Sequence, residues 1–336
     1  MTKKTRSLKK RPNSRNSPPP SSTRILAMEQ GHVIKPHGGR LKMALVYPNS
    51  YQVGMSNLGY MKVYHLLNRR DDVVCERVFF PPPEEVARIE SGRGALRSLE
   101  SGLPLGKFDV IAFSITFEMD YSNALRMLAM AGVGGAGPLV MAGGIAVTMN
   151  PETMADHFHI MLIGEGEGII DPLMDAIIAK GREPAGLAGL PGVYAANGYE
   201  STYSQEGRLT GIKPKPGYPA RVPRVWDKQA EGEPNMTRIF TPDTVFGDMA
   251  LVETGKGCGR HCRFCAAGYS YRPTRMARRR ALMDLVGQAL ERNVRVGLVG
   301  SAVADHPDLM EILEHIVAKG GRFSISSMRL DMITQR

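Results

Sequence analysis

From Leu41 onward the chain alternates short, almost wholly apolar runs with longer segments whose apolar residues recur at helical spacing. The runs at 42–47, 73–80, 109–114, 139–142 and 160–164 predict strands, and the stretches at about 57–69, 84–100, 120–131, 151–156 and 168–180 predict helices between them. A strand buried on both faces reads as a continuous apolar run, and strands alternating with helices build a parallel sheet covered on both sides. The rhythm resumes with strands at 250–254, 295–300 and 322–327 and helices at 281–292 and 307–319. Between the two regions, residues 184–247 are rich in Pro, Gly and charge, with short strands predicted at 192–196 and 236–240. The expected fold class is α/β. A Rossmann-like doubly wound parallel sheet fills 41–183, a connector follows at 184–247, and a second β/α region occupies 248–336.

Composition changes this picture mainly at the start of the chain. At 43% hydrophobic and 23% charged the protein has an ordinary globular composition, and no apolar run approaches the length a transmembrane helix needs. The net charge of +10 is lopsided, because Lys3, Lys4, Arg6, Lys9, Lys10, Arg11, Arg15 and Arg24 all precede the first acid, Glu29. With SerProProProSerSer at 17–22 in its midst, residues 1–40 are expected to form a disordered basic tail, since so few apolar groups cannot offset the entropy of ordering. The tail lacks the apolar segment of a secretory signal, so a cytoplasmic location is expected. Most such tails are simply solvated, and contact with nucleic acid is the alternative.

In an open parallel sheet, ligands bind beyond the carboxyl ends of the strands. There the chain carries Asn49-Ser-Tyr51-Gln-Val-Gly54, Ser114-Ile-Thr116, Gly143-Gly144 and Gly164-Glu165-Gly166-Glu167. Small residues let backbone approach a ligand closely and hydroxyls can hydrogen-bond it, although each alone also reads as a tight turn. Neither a GxGxxG after the first strand nor a phosphate-binding GxxxxGK[ST] is present.

Together these turns resemble the cobalamin-binding Rossmann-like domain, in which a Ser/Thr-rich turn is followed at fixed distance by a Gly-Gly pair. Here 26 residues separate Ser114-Ile-Thr116 from Gly143-Gly144. The resemblance implies a cobalamin site made by Asn49, Tyr51, Gly54, Ser114, Thr116, Gly143, Gly144, Gly164 and Glu165. One departure stands out: Tyr51 occupies the place of the histidine in the family's Asp-x-His-x-x-Gly, which supplies the lower cobalt ligand. A neutral phenol is a poor match for an imidazole donor. Two outcomes stay open, cobalamin bound without a protein imidazole or a domain that keeps the shape without the cofactor.

Three of the four cysteines fall in Gly257-Cys258-Gly-Arg-His-Cys262-Arg-Phe264-Cys265. Clustered thiols in a chain without an export signal read as metal ligands, and Cys75, in an apolar strand, reads as a small buried hydrophobe. Structural zinc wants four closed ligands, and no second Cys or His pair follows. An iron-sulfur cubane (4Fe-4S) held by three cysteines leaves one iron open. Cys-x-x-x-Cys-x-x-Cys with an aromatic before the last cysteine closely resembles the signature of the radical S-adenosylmethionine superfamily. The resemblance implies that the open iron binds S-adenosylmethionine and that an electron from the reduced cluster cleaves it to a 5′-deoxyadenosyl radical. A flavodoxin or ferredoxin would supply that electron, and cobalamin, if bound, would favour methyl transfer. Phe264, Gly300, Ser301, Ser327 and Arg329 would lie beside S-adenosylmethionine.

The strand at 250–254 leads straight into the cysteine loop, as the first barrel strand does in that family. The family's partial TIM barrel has six β/α units, whereas the 89 residues from 248 to 336 suffice for three at roughly 31 residues each. The sequence therefore reads as the first half of the barrel, from a shortened chain, a split gene or a fragmentary gene model. Its inner face is expected to lie uncovered and its C-terminal end to be poorly stable. A rival reading rests on Arg260, Arg263, Arg272, Arg275, Arg278, Arg279 and Arg280, interleaved with Tyr269 and Tyr271. They suit an RNA-binding or RNA-modifying protein whose cysteine loop is structural. A catalytically inactive fragment is the third reading.

Overall fold

The apolar runs of the N-terminal half fold as the strands they predict. The computed structural model describes residues 22–133, 137–247 and 249–332. In it Leu41–Tyr47 (β1), Val73–Phe79 (β2), Val110–Ser114 (β3), Leu139–Gly143 (β4) and Ile160–Leu162 (β5) form parallel neighbours in the order β2-β1-β3-β4-β5. Val193–Tyr194 (β6) pairs antiparallel with β5, so the sheet runs past the boundary expected at residue 183. Alternate residues of β1 serve opposite cores: Met43, Leu45 and Tyr47 face one, Ala44 and Val46 the other. This double burial is why the strand reads as an unbroken apolar run.

Leu58–Asn68 (α1) and Ile170–Lys180 (α4) cover the first face, while Pro83–Glu90 (α2) and Tyr121–Ala131 (α3) cover the second. The Asn57 side chain accepts the Tyr60 N–H at 2.9 Å and fixes the start of α1. The helix expected over 84–100 ends at Glu90, where Ser91-Gly92-Arg-Gly94 begins a turn. The stretch expected as a helix at 151–156 is a 3-10 segment, Pro151–His157.

The tail needs a correction. Residues 1–21 lie outside the described residues, but Ser22–Met28 is helical and Glu29 is buried. Glu29 accepts both guanidinium nitrogens of Arg77 at 2.7 Å, and a buried arginine requires such a partner. Order therefore begins well before residue 41. The connector supplies a hairpin the sequence did not announce, Tyr199–Tyr203 (β7) against Leu209–Pro214 (β8). Both strands are largely exposed and so carry no apolar run.

In the C-terminal region Met249–Lys256 (β9), Arg295–Gly300 (β11) and Phe323–Ile325 (β12) are parallel, and Arg275–Met276 (β10) pairs antiparallel with the end of β9. Arg279–Glu291 (α5) and Leu309–Ala318 (α6) cover the outer face of this sheet. The inner face is less bare than expected, because Leu251, Glu253 and Val299 look across a cleft at the N-terminal half. The connector also lies along β9, with Thr237 N–H donating to Leu251 O and Glu253 N–H to Asn235 O, each at 2.9 Å. The edge strand β12 keeps Phe323 38% exposed. Among the described residues no helix is long and apolar enough to cross a membrane.

Candidate functional site

A cleft of about 650 Å³ opens where the carboxyl ends of the N-terminal strands meet those of β9 and β11. Of the residues expected around cobalamin, Ser114, Thr116, Gly143, Gly144, Gly164 and Glu165 line it. The Ser-Ile-Thr turn and the Gly-Gly pair are in direct contact: Ile115 N–H donates to Gly143 O at 2.8 Å. Gly144 has φ +111, and a Cβ there would sit 2.3 Å from Ile115 O. Gly164 has φ +127, and its Cβ would sit 2.0 Å from Val225 O in the connector. Only glycine fits at these two positions, which mould the cleft floor from backbone.

Asn49, Tyr51 and Gly54 are placed elsewhere. The Tyr51 hydroxyl donates to Glu29 Oε1 at 2.6 Å, within a buried network in which Arg77 Nε also donates to Glu100 Oε1 at 2.6 Å. Burial, reinforced by Glu29, pushes the Tyr51 phenol far above its ordinary pKa, so it stays neutral and committed to that carboxylate. Asn49 Nδ2 donates to Asp120 Oδ1 at 2.8 Å. Gly54 makes room for an aromatic side chain, since a Cβ would stand 2.6 Å from the Phe79 ring. None of the three lines the cleft.

Glu165 joins the two halves. It accepts Arg275 Nη1 and Nη2 at 2.7 Å each and the Asp227 N–H at 2.9 Å. Burial alone would raise its pKa, but Arg275, Lys256 and the Asp227 amide together bring it below the ordinary carboxylate value. Glu165, Glu167 and Asp227 are close enough to hold a cation. Their centre, however, is taken by the Lys256 ammonium, 3.6 Å from Glu165, 2.5 Å from Glu167 and 3.8 Å from Asp227. Glu253 also lines the cleft, and burial pushes its carboxyl up to about 7. Sequence reasoning passed over Glu253 and Lys256, and counted Arg275 only in the basic run rather than as the partner of Glu165. Two charges in the strand that delivers the cysteines were the available signal.

The loop after β9 carries three free thiols, with Cys258 and Cys265 half-buried and Cys262 exposed. Cys258 Sγ accepts the Arg260 N–H at 3.4 Å, and Cys265 N–H donates to Cys262 O at 3.2 Å. The thiols are not drawn together as ligands of one ion would be, whereas a cubane takes each thiolate on a different iron. Three unpaired thiols on a solvent-reaching loop fit such a cluster. Gly257 borders the cleft, as do Gly300 and Ser301. Ser327 lies beneath them, its hydroxyl donating to Gly300 O at 3.1 Å. Arg329 pairs with Asp305, which Arg260 of the cysteine loop also grips at 3.0 and 3.1 Å. Phe264 is 92% exposed and points away from the fold. The short helix Ala267–Ser270 after the loop packs on Ile145–Met149, which follows the Gly-Gly pair.

The arginine run is largely occupied. Arg260 pairs with Asp305, Arg275 with Glu165 and Arg279 with Glu311, while Arg272 Nε donates to Gly268 O at 2.6 Å. As a free basic surface for RNA it loses most of its members.

Comparison with known proteins agrees with this architecture. Residues 59–188 match the family described as radical SAM proteins, N-terminal. An uncharacterised protein of Methanocaldococcus jannaschii is 26% identical over 294 residues, covering 87% of this chain and 56% of that protein. The chain thus spans about half the length of the curated relative it matches. Among solved structures, the apo, selenomethionine-labelled cobalamin-dependent S-adenosylmethionine radical enzyme OxsB shares the fold. The TM-score is 0.51 at 13% identity, over 85% of this chain and 38% of that one. Residues 59–188 thus match the N-terminal region of radical SAM proteins, and the chain shares its fold with a cobalamin-dependent S-adenosylmethionine radical enzyme.

Proposed function

We propose that the chain is an enzyme in which Cys258, Cys262 and Cys265 hold a 4Fe-4S cluster with S-adenosylmethionine at the open iron. The chemistry the cluster supplies when loaded is one-electron cleavage of S-adenosylmethionine to a 5′-deoxyadenosyl radical that removes a hydrogen from a substrate. The observation that carries this reading is convergence. Gly257 and Ser270, which flank the cysteine loop, and the Ser-Ile-Thr and Gly-Gly turns, from opposite halves of the chain, line one cleft. Gly300 and Ser301 border S-adenosylmethionine at the barrel end, with Ser327 fixing Gly300 and Arg329 steadying the loop through Asp305. Exposed Cys262 and Phe264 mark the side from which a flavodoxin or ferredoxin would deliver the electron, in a cytoplasmic setting. In domain terms, residues 41–183 with β6 form the cobalamin-binding-like unit, 184–247 the connector and 248–336 the barrel part.

Cobalamin would occupy the same cleft over Ser114, Thr116, Gly143, Gly144 and Gly164, with no lower ligand from Tyr51. Methyl transfer is then the favoured outcome. The test is anaerobic reconstitution with iron and sulfide, then electron paramagnetic resonance of the dithionite-reduced protein with and without S-adenosylmethionine. A reduced-cluster signal that changes on adding S-adenosylmethionine is expected, together with 5′-deoxyadenosine among the products. Uptake of zinc with no cluster signal would return the cysteine loop to a structural role. Hydroxocobalamin retained through gel filtration would support the methyl-transfer branch, and its loss in the flow-through would remove it.

A further inference from the structure

Two charged side chains in the cleft stand apart from the buried charges around them. Lys62, one turn into α1, is only 8% exposed and lines the cleft from the N-terminal half. Glu253, in the middle of β9, lines it from the other. Nearby, Glu165, Glu167, Asp227, Lys256 and Arg275 satisfy one another. Among the described residues, neither the Lys62 ammonium nor the Glu253 carboxylate has a hydrogen-bond or ion-pair partner. The Lys62 stem is packed away while its ammonium still meets the water of the cleft, so an anion bound there would give it a hydrogen-bonding partner of opposite charge.

We propose that Lys62 and Glu253 form a recognition site in the cleft for an acidic oxygen group, phosphate or carboxylate, of the molecule bound there. Lys62 supplies the opposing charge and Glu253 a proton that it shares with the ligand oxygen.

The setting of Glu253 favours that division of labour. Burial raises its pKa to about 7. Glu167 and Glu165, in the turn after β5, push the same way, while Lys256 on its own strand and Lys62 on α1 oppose them. Tyr271 also faces this group, with a phenol that burial first and Glu253 next push up to about 12, so it stays neutral. An oxyanion arriving at Lys62 adds negative charge beside Glu253 and draws a proton onto it from solvent. Because a carboxyl with a pKa of about 7 is already half-protonated at pH 7, binding there takes up at most about half a proton. The inference shares with the proposed function only the cleft as ligand site and needs no cluster.

Isothermal titration calorimetry of the full chain with inorganic phosphate and with acetate, at pH 7 in buffers of different ionisation enthalpy, tests it. Saturable binding with net proton uptake is expected, and the tighter of the two anions identifies the group. Lys62→Met should weaken binding at least tenfold with an unchanged melting temperature, Lys62→Arg should restore it, and Glu253→Gln should abolish the proton uptake. No saturable binding of either anion by the wild type, or undiminished binding by Lys62→Met, would overturn the site. Binding without proton uptake would remove Glu253 from it.

Discussion

The two halves of the molecule bring their chemistry to the same cleft by opposite means. In the N-terminal half Asn49 and Tyr51 turn inward, to Asp120 and Glu29, and backbone at Gly144 and Gly164 shapes the cleft. In the C-terminal half the chemistry rests on side chains that fold nothing: three free thiols on a loop anchored through Arg260 and Asp305. The sheet half is thus a mould completed by folding, whereas the cysteine loop is completed by what it binds. A perturbation of the first should appear as lost stability, and one of the second as lost chemistry.

The sharpest test of that division is Cys262→Ala. The thiol is exposed, so unfolding free energy should stay within about 0.5 kcal/mol of wild type. The reduced-cluster resonance and S-adenosylmethionine cleavage should both vanish. The reverse pattern is expected for Arg275→Met. It leaves Glu165 buried beside Lys256 without its fork and strips a cation from the face of Trp226, 5.5 Å away. Breaking a buried pair from one side costs about 3–5 kcal/mol, read by denaturant unfolding. The pH sign follows from Glu165. Its folded pKa lies below the ordinary value, so its contribution is present above the unfolded pKa and is lost as pH falls through the folded one. In Arg275→Met that acid-side loss should begin at higher pH.

The same division explains what could be read before the structure. Strands β1 to β5, β9 and β11 are legible because burial on both faces, or between a helix layer and a cleft, writes an apolar run into the chain. The thiol triplet is legible because Cys258, Cys262 and Cys265 fall within a single loop, a spacing that suits the proposed metal centre. Glu29 is not, since what buries it is Arg77, 48 residues away, and no local pattern records that pairing. The roles of Asn49, Tyr51 and Gly54 escape for a related reason. Position at a strand end says where a residue stands, and only packing says which way its side chain turns. The β7–β8 hairpin, largely exposed, left no hydrophobic period to read.

A smaller effect is expected from Gly144→Ala. The left-handed backbone and the 2.3 Å approach of Ile115 O both oppose a methyl group, so a loss of about 1–3 kcal/mol should follow, measured by chemical denaturation. Because Ile115 must shift, the gap between the Ser-Ile-Thr and Gly-Gly turns should widen. Retention of hydroxocobalamin should then fall more than cluster content, which depends on the other half.

The smallest expected change tests the anchor of the cysteine loop. Arg260 is exposed, and its pairing with Asp305 is screened by water, so Arg260→Ala should leave the unfolding curve in place. Beyond that pairing the loop is held by Arg272 against His261 Nδ1, one N–H to Cys258 Sγ and one bond between Cys265 and Cys262. Loss of the anchor should therefore speed removal of the reconstituted cluster by an iron chelator a few-fold. Asp305→Asn weakens the grip of both Arg260 and Arg329 and should speed it further. If both variants lose the cluster at the wild-type rate, the thiols themselves set the geometry of the loop, and the contrast with the preformed sheet half becomes sharper still.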